Sequence, residues 1–576
     1  MIRRKKNSVL LGIFLLSVSI WGCKNELDQI AQTSVTDQNF WKTPNDLALG
    51  CNYLYTFLPA LAAVTDAAAS GATPIPPYPV QDVYSDIGSV ASGTLNEISD
   101  GSRSTAPAMS TEWTYYYRLI RAANNIIEKA AGVTGDASAI NRYRGEARFF
   151  RAFAYFELTK RFGDVPLLVK TLTTDDPQLF GTRTARETII DSVYADLDFS
   201  AKYCPQPDLL TTTSGNEYGR ITRSAALAFK SRVGLFEGTR QKYTNMGTPA
   251  KHLQIALDAS NTVITEGKHS LFSYAPRKDS SFFYLFQYAG ETYTANKEVI
   301  LARLYGQNIT NSISPHSYGR GVIEQGALVA TRAYMDMVLF KDGLPAGKSA
   351  FDSTAIQTST LTEYRNRDPR LGMTIFRKGD YYGSSFTPYF IPTTAYRIKK
   401  YYIAADWVAG NSYVDFMVLR YGEVLLNYAE ATFELNGSIS DADLNKTVNA
   451  LRNRATNNQS TLLPPLTNAF ASANGLDMKT ELRRERTVEL AYEGFRYWDL
   501  IRWKTAETAL PQALIGPKYF PKEYATGTAA PALQDGYVLY EAAAKRTFNI
   551  SRDYLWPLPV NELGLNPNLG KNNPGW

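Results

Sequence analysis

Four glutamates, Glu481, Glu485, Glu489 and Glu493, recur at every fourth position. On a helix that spacing puts them on one face, and paired carboxylates are what glycoside hydrolysis uses. A hydrolytic pair must straddle one bond inside a cleft. Here Arg483, Arg484, Arg486 and Arg496 interleave with the acids, and Arg452 and Arg454 lie on a helix expected to pack nearby. Interleaved opposite charges read as ion-pair lacing rather than catalysis. A Ser-His-Asp arrangement would need one of three histidines, His252, His269 or His316, and no Gly-x-Ser-x-Gly turn frames a serine. His252 and His269 read as helix-cap or surface positions, whereas His316 sits in an aromatic loop. Zinc, EF-hand, P-loop and dinucleotide motifs do not occur. No cofactor is expected; a structural calcium held by loop carbonyls and an Asp would leave no spacing signature.

Sugar binding asks for different residues. A pyranose stacks its apolar face on an aromatic ring and offers hydroxyls at its edge to Asp, Asn, Arg or His. Such sites sit on loops held by a rigid scaffold. Two irregular stretches supply this mixture. The first, within 60–110, holds Tyr78, Asp82, Tyr84, Asp86, Asn96 and Arg103. The second, within 270–325, holds Tyr284, Tyr288, Tyr293, Tyr305, Asn308, His316, Tyr318 and Arg320. The ligand-binding candidates are Tyr78, Asp82, Tyr84, Asp86, Asn96, Arg103, Tyr288, Tyr305, His316 and Tyr318.

Helices must position these loops. Apolar periodicity predicts helix from Pro44, over 111–132, 138–162, 186–203, 222–238 and 249–266, then over 326–340, 420–436, 441–456 and 477–505. Strand pieces are expected near 396–403 and 413–418. Ala147, Ala152 and Ala154, then Ala225, Ala226 and Ala228, then Ala429 and Ala431 place small residues at helical spacing before an aromatic and a glycine. Small residues let helices approach closely, which is the logic of degenerate tetratricopeptide pairs. The fold class expected is mainly α, a tetratricopeptide-like helix-pair scaffold with long irregular loops and a few short strands. The tail 555–576, rich in Pro, Asn and Gly with two Trp, is expected to pack onto the body.

The 576 residues are 44% apolar and 20% charged, an ordinary globular balance that excludes whole-chain disorder or a polytopic membrane protein. Three Cys exclude a disulfide framework, and Cys51 and Cys204 sit in apolar helical surroundings. Residues 1–22 carry Arg3, Arg4, Lys5 and Lys6 before an apolar run that ends at Gly22-Cys23. This reads as a lipoprotein signal peptide with Cys23 as the lipidation site. Cleavage removes four cations and lowers the net charge from +6 to +2, so nucleic acid is not an expected partner.

Five stretches in order resemble the SusD/RagB family of outer-membrane nutrient-uptake lipoproteins. They are 145–167 (Gly-Glu-Ala-Arg-Phe-Phe-Arg to Gly-Asp-Val-Pro-Leu), 366–371 (Asn-Arg-Asp-Pro-Arg-Leu), 419–431 with 449–455, 482–503 (through Gly-Phe-Arg-Tyr-Trp-Asp-Leu), and 555–576. The resemblance implies a lead-in over 23–43, a helical N-terminal region over 44–270 with the 60–110 insertion, and a C-terminal region over 271–576 packed with it as one body. It also implies a non-catalytic protein on the cell outer membrane, lipid-anchored and surface-exposed. Such a protein captures a glycan or oligosaccharide for a partner TonB-dependent transporter. Glycan contacts in the family come from the same two loop regions. Its tryptophan platform has no Trp in either loop here; Trp407 lies in a third loop with Tyr401 and Tyr402, so tyrosines are expected to serve. The competing readings are a secreted glycan-degrading hydrolase and a tetratricopeptide-type protein-binding scaffold.

Overall fold

A computed structural model describes residues 40–64, 74–91, 95–105, 110–210, 217–291, 296–306, 315–353, 357–381, 395–456, 463–524 and 526–576. The leader, Cys23, Tyr293 and Asn308 lie outside the described residues.

Local signals start and stop the N-terminal helices. In α1 (Pro44–Tyr55) Pro44 opens the first turn, and the Asp46 carboxylate accepts the Thr43 backbone N–H at 2.7 Å. Ser110 caps α2 (Thr111–Lys129). Asp136 caps α3 (Ala137–Phe162), which stops at Gly163 with φ +73°. Then follow α4 (Arg186–Tyr203), α5 (Arg223–Thr244) and α6 (Pro249–Thr265). The C-terminal half adds α7 (Tyr421–Asn436), α8 (Val448–Thr456), α9 (Met478–Leu490) and α10 (Arg496–Arg502).

Each helix from α2 to α6 packs on the next, and α6 packs on α7 across the chain's midpoint. The alanines that predicted close approach are all buried at these contacts. The tightest crossing is α5 on α6. A Cβ on Gly234 would stand 2.8 Å from the His252 carbonyl oxygen, and one on Gly238 would stand 2.9 Å from the Leu253 nitrogen. The protein is therefore a mainly α stack of tetratricopeptide-like helix pairs. One apolar core runs from Leu47 to Leu558 and draws on both halves of the chain. The tail is packed: the Trp556 N–H donates to the Arg161 carbonyl at 2.7 Å, and the Asn573 amide donates to the Phe162 carbonyl at 2.9 Å.

The strands are short. β1 (Gly88–Ser89), β3 (Val329–Ala330) and β4 (Tyr396–Arg397) form one antiparallel sheet, and β2 (Val299–Arg303) pairs with β5 (Phe416–Arg420). β6 (Leu514–Lys518), β7 (Leu533–Gln534) and β8 (Tyr537–Glu541) form a third sheet. Among the described residues no helix is long and apolar enough to cross a membrane.

Several expectations need correction. Residues 326–340 are helical only over Arg332–Met337, because Val329 and Ala330 join a sheet. The helix expected over 441–456 divides into Asp441–Lys446 and α8 at Thr447. The helix expected over 477–505 divides into α9 and α10, because Tyr492 at φ +60° and Gly494 at φ +83° turn the chain. His252 and His269 are buried, not superficial: Tyr194 Oη lies 2.7 Å from His252 Nδ1, and His269 Nδ1 lies 3.0 Å from the Lys297 carbonyl oxygen.

The glutamates of α9 and the turn after it are all ion-paired and buried. Glu489 accepts from Arg420 at 2.7 Å, from Arg370 at 3.0 Å and from Arg454. Glu493 takes Arg420 at 2.8 Å and Lys400 at 2.8 Å, and Glu485 takes Arg452 at 3.0 Å. Burial opposes the charge on Glu489, but Arg454, Arg420 and Arg370 hold its carboxyl well below the usual range. A second buried set joins Glu430 to Arg502 at 2.6 Å and to the Trp503 indole at 2.6 Å.

Truncating one partner leaves an uncompensated buried charge. Arg420→Leu is therefore expected to cost about 3–5 kcal/mol in urea denaturation. The acid limb of the pH profile is carried by Glu157, Glu237 and Glu430. Burial opposes their ionisation, yet neighbouring cations hold each carboxyl down to about 2. A carboxylate depressed below its unfolded value of about 4.3 stabilises above that value and loses its contribution as the pH falls. The thermal midpoint should fall steadily below about pH 4, where only the depressed carboxylates still titrate; a midpoint that is flat or rises from there towards pH 3 would contradict this.

Candidate functional site

The first loop is anchored by the residues expected to touch ligand. Asp82 accepts the backbone N–H of Arg496 at 3.1 Å and of Gly494 at 3.3 Å, so it caps the start of α10. It is fully buried, and burial pushes its carboxyl up to about 7 against those N–H groups. Asp86 holds the Arg496 guanidinium in a two-pronged pair, both contacts at 2.8 Å. Tyr78 is buried against the turn, where a Cβ on Gly494 would meet the Tyr78 carbonyl oxygen at 2.7 Å. These three residues bind the loop to the body and are not free for a ligand.

Tyr84, Asn96 and Arg103 meet in a cleft of about 200 Å³ beside Trp556. Tyr84 is buried edge-on to Tyr497, and the Asn96 side chain caps the short helix Glu97–Asp100. Arg103 lies 3.7 Å over the Trp556 ring and 3.9 Å from Glu97. Glu112 lines the same cleft and accepts from the Ser110 hydroxyl at 3.1 Å.

The second loop folds inward. Tyr305 is buried, and its hydroxyl accepts the Leu61 N–H at 2.9 Å, which ties the two loop regions together. His316 is buried as a bridge partner of Ser412. Its Nε2–H donates to the Val414 carbonyl at 3.0 Å while Nδ1 accepts the Tyr318 N–H at 3.2 Å, which fixes a neutral tautomer. Burial pushes the His316 imidazole down to about 4. Tyr318 is 1% exposed and belongs to the core. The sequence placed these rings in loops; the loops pack them inward because long loops need apolar anchors.

Tyr288, unlike Tyr305 and Tyr318, reaches the surface, and it leads to Trp407, a residue outside the ligand-binding candidates. The Tyr288 hydroxyl donates to Asp406 at 2.6 Å and accepts the Tyr413 N–H at 3.0 Å. Asp406 positions the next residue, Trp407, which is half-buried, beside Val408 at 77% exposure. Arg320 stacks its guanidinium 4.7 Å from the Trp407 ring centre, and Asn411 stands exposed across a shallow depression that His316 and Tyr402 floor. A half-buried indole with a guanidinium over it, and a carboxylate and an amide beside it, can give a sugar an apolar contact and hydrogen bonds at its edge. A large aromatic between Ala404-Ala405-Asp406 and Gly410-Asn411 is the signal that marks this loop tip.

Among the described residues no group of three or more His, Cys, Asp or Glu side chains is placed to hold a metal. Cys51 and Cys204 are buried free thiols.

Two family models match the chain. One, described as the SusD family, covers residues 291–576; the other, described as starch-binding associating with outer membrane, covers 62–235. The chain belongs to the SusD/RagB family. SusD-like protein P2 of Formosa agariphila is 25% identical over 598 aligned positions, covering 99% of this chain and 100% of the relative. A SusD-like carbohydrate binding protein of Bacteroides fragilis, also 25% identical, matches with a TM-score of 0.74 over 92% of this chain and 99% of its own. A surface glycan-binding protein A of Bacteroides fluxus, 20% identical, shares the fold with a TM-score of 0.58 over 93% of this chain and 100% of its own. In this SusD/RagB protein the matched stretches also carry the buried ion pairs, through Arg370, Arg420, Arg452, Arg454 and Glu489.

The anchoring role of Asp86 separates stability from binding. Asp86→Ala is expected to cost about 2–3 kcal/mol in denaturant unfolding, because it strips a charge-assisted pair from Arg496. Ligand affinity of the folded variant, measured by calorimetry, should stay within about twofold of wild type.

Proposed function

We propose that this chain is a non-catalytic, cell-surface nutrient-binding lipoprotein that captures a glycan or oligosaccharide and passes it to a partner TonB-dependent outer-membrane transporter. Membership of the SusD/RagB family and the carbohydrate-binding names of its relatives support this reading. The observation that carries it is the Trp407 surface, where a half-buried indole lies between Arg320, Asp406 and Asn411. Lipidation of Cys23 would anchor the mature chain, each buried methylene adding about 0.8 kcal/mol.

The test is calorimetry of the mature chain against a panel of neutral oligosaccharides, with analysis of the products. Saturable binding with the sugar recovered intact is expected. Trp407→Ala should weaken it about two- to tenfold, since stacking on an aromatic ring contributes on the order of 0.5–1.5 kcal/mol. Cleavage of the sugar would overturn the reading and direct attention to Glu97 and Glu112 in the Trp556 cleft. For the anchor, Cys23→Ser should move the chain from the membrane fraction to the soluble one and abolish fatty-acid labelling.

A further inference from the structure

The most voluminous of the described cavities lies away from both aromatic loops. It holds about 500 Å³ between the end of α3, the start of α4, the end of α5 and the C-terminal tail. That is room for two or three sugar rings, within the range of small-molecule sites. Phe236, Ile501, Leu555 and Met246 give it an apolar wall.

Its charge is unbalanced. Lys160, Arg183, Arg186 and Arg240 line it, against Asp164 and Glu187. Lys160 is answered by Glu157 at 2.7 Å, and Glu187 is taken by Lys251 at 3.0 Å. Arg186 and Arg240 share one carboxylate, Glu237, which Arg240 meets at 3.0 Å. Asp164 spends one oxygen on the Arg186 backbone N–H at 2.9 Å. Arg183 donates only to neutral oxygens, Asn573 Oδ1 at 3.0 Å and the Lys571 carbonyl at 3.1 Å, and among the described residues no carboxylate pairs with it. Burial and the adjacent Arg240 charge hold the Arg186 guanidinium below its ordinary range, as befits a cation short of counter-charge.

From this cavity, its apolar wall and its under-neutralised arginines we infer a second binding site, separate from the Trp407 surface, for a saccharide carrying an oxyanion. A pyranose ring would lie on the apolar wall, and its carboxylate or sulfate would take the guanidinium N–H groups that remain on Arg183 and on Arg240, whose Nε and Nη2 already meet Glu237. Arg183, in the segment just before α4, also ties down the tail through Asn573, so the tail that closes the cavity is held by the same side chain that meets the anion.

The experiment titrates the full mature chain with digalacturonate, galactose 6-sulfate and neutral galactobiose. Binding of either anion in preference to galactobiose is expected, weakening as salt rises from about 0.05 to 0.5 M. Digalacturonate against galactose 6-sulfate tells carboxylate from sulfate. Arg183→Gln and Arg240→Met should each lower the affinity about tenfold. Thr244→Trp, which fills the cavity from its rim and leaves every charge in place, should abolish binding; Trp407→Ala should leave it unchanged. Thermal melts confirm that each variant is folded. Equal affinity for galactobiose, unaltered binding by a folded Arg183→Gln/Arg240→Met double variant, or no heat with either anion up to about 10 mM would overturn the inference.

Discussion

Glu489 sits out of reach of water with three arginines around it, and the C-terminal half is arranged to satisfy that one carboxylate. The arginines come from three separate segments: Arg370 after a loop, Arg420 at the end of β5, and Arg454 from α8. Each also meets a second carboxylate, Arg370 taking Asp368 at 2.7 Å, Arg420 taking Glu493 at 2.8 Å and Arg454 taking Glu298 at 2.5 Å. Buried charge is costly unless every partner is present. The segments must therefore arrive together, and the network specifies geometry more than it adds stability.

The loops hang from that frame. The turn at Tyr492 and Gly494, directly after Glu489, receives Asp82, Tyr78 and Asp86 from the first loop. The second loop is tied to the first through Tyr305 and Leu61. Polar and aromatic residues that look like ligand contacts are thus consumed in holding the loops. The part they hold out to solvent is a short stretch around Trp407, positioned by Asp406 and Tyr288.

Helices whose own residues carry their start and stop signals are legible directly. Asp136 and Gly163 bound α3, and Arg186–Tyr203 matches its apolar period to the residue. The elements that are not legible depend on distant partners. Val299–Arg303 is extended because Phe416–Arg420 pairs with it, and the break after Leu490 exists because Asp82 caps the start of α10. The same reason limits the site. Tyr318 and Tyr305 are loop residues by sequence, and only the packed structure reveals which way their rings turn. Trp407 is visible as a residue, but its exposure is not.

The join between the tail and α3 has a consequence for biogenesis. The carbonyls of Arg161 and Phe162 find their partners in Trp556 and Asn573, near the last residue of the chain. The central helix therefore cannot finish its hydrogen bonding until almost the whole chain has emerged. Contacts of such long sequence separation slow folding. Until Trp556 and Asn573 are in place, that helix stays incomplete at one end. A change at Asn573 would leave the Phe162 carbonyl, one of the last of the helix, without that partner, while Trp556 would still hold Arg161.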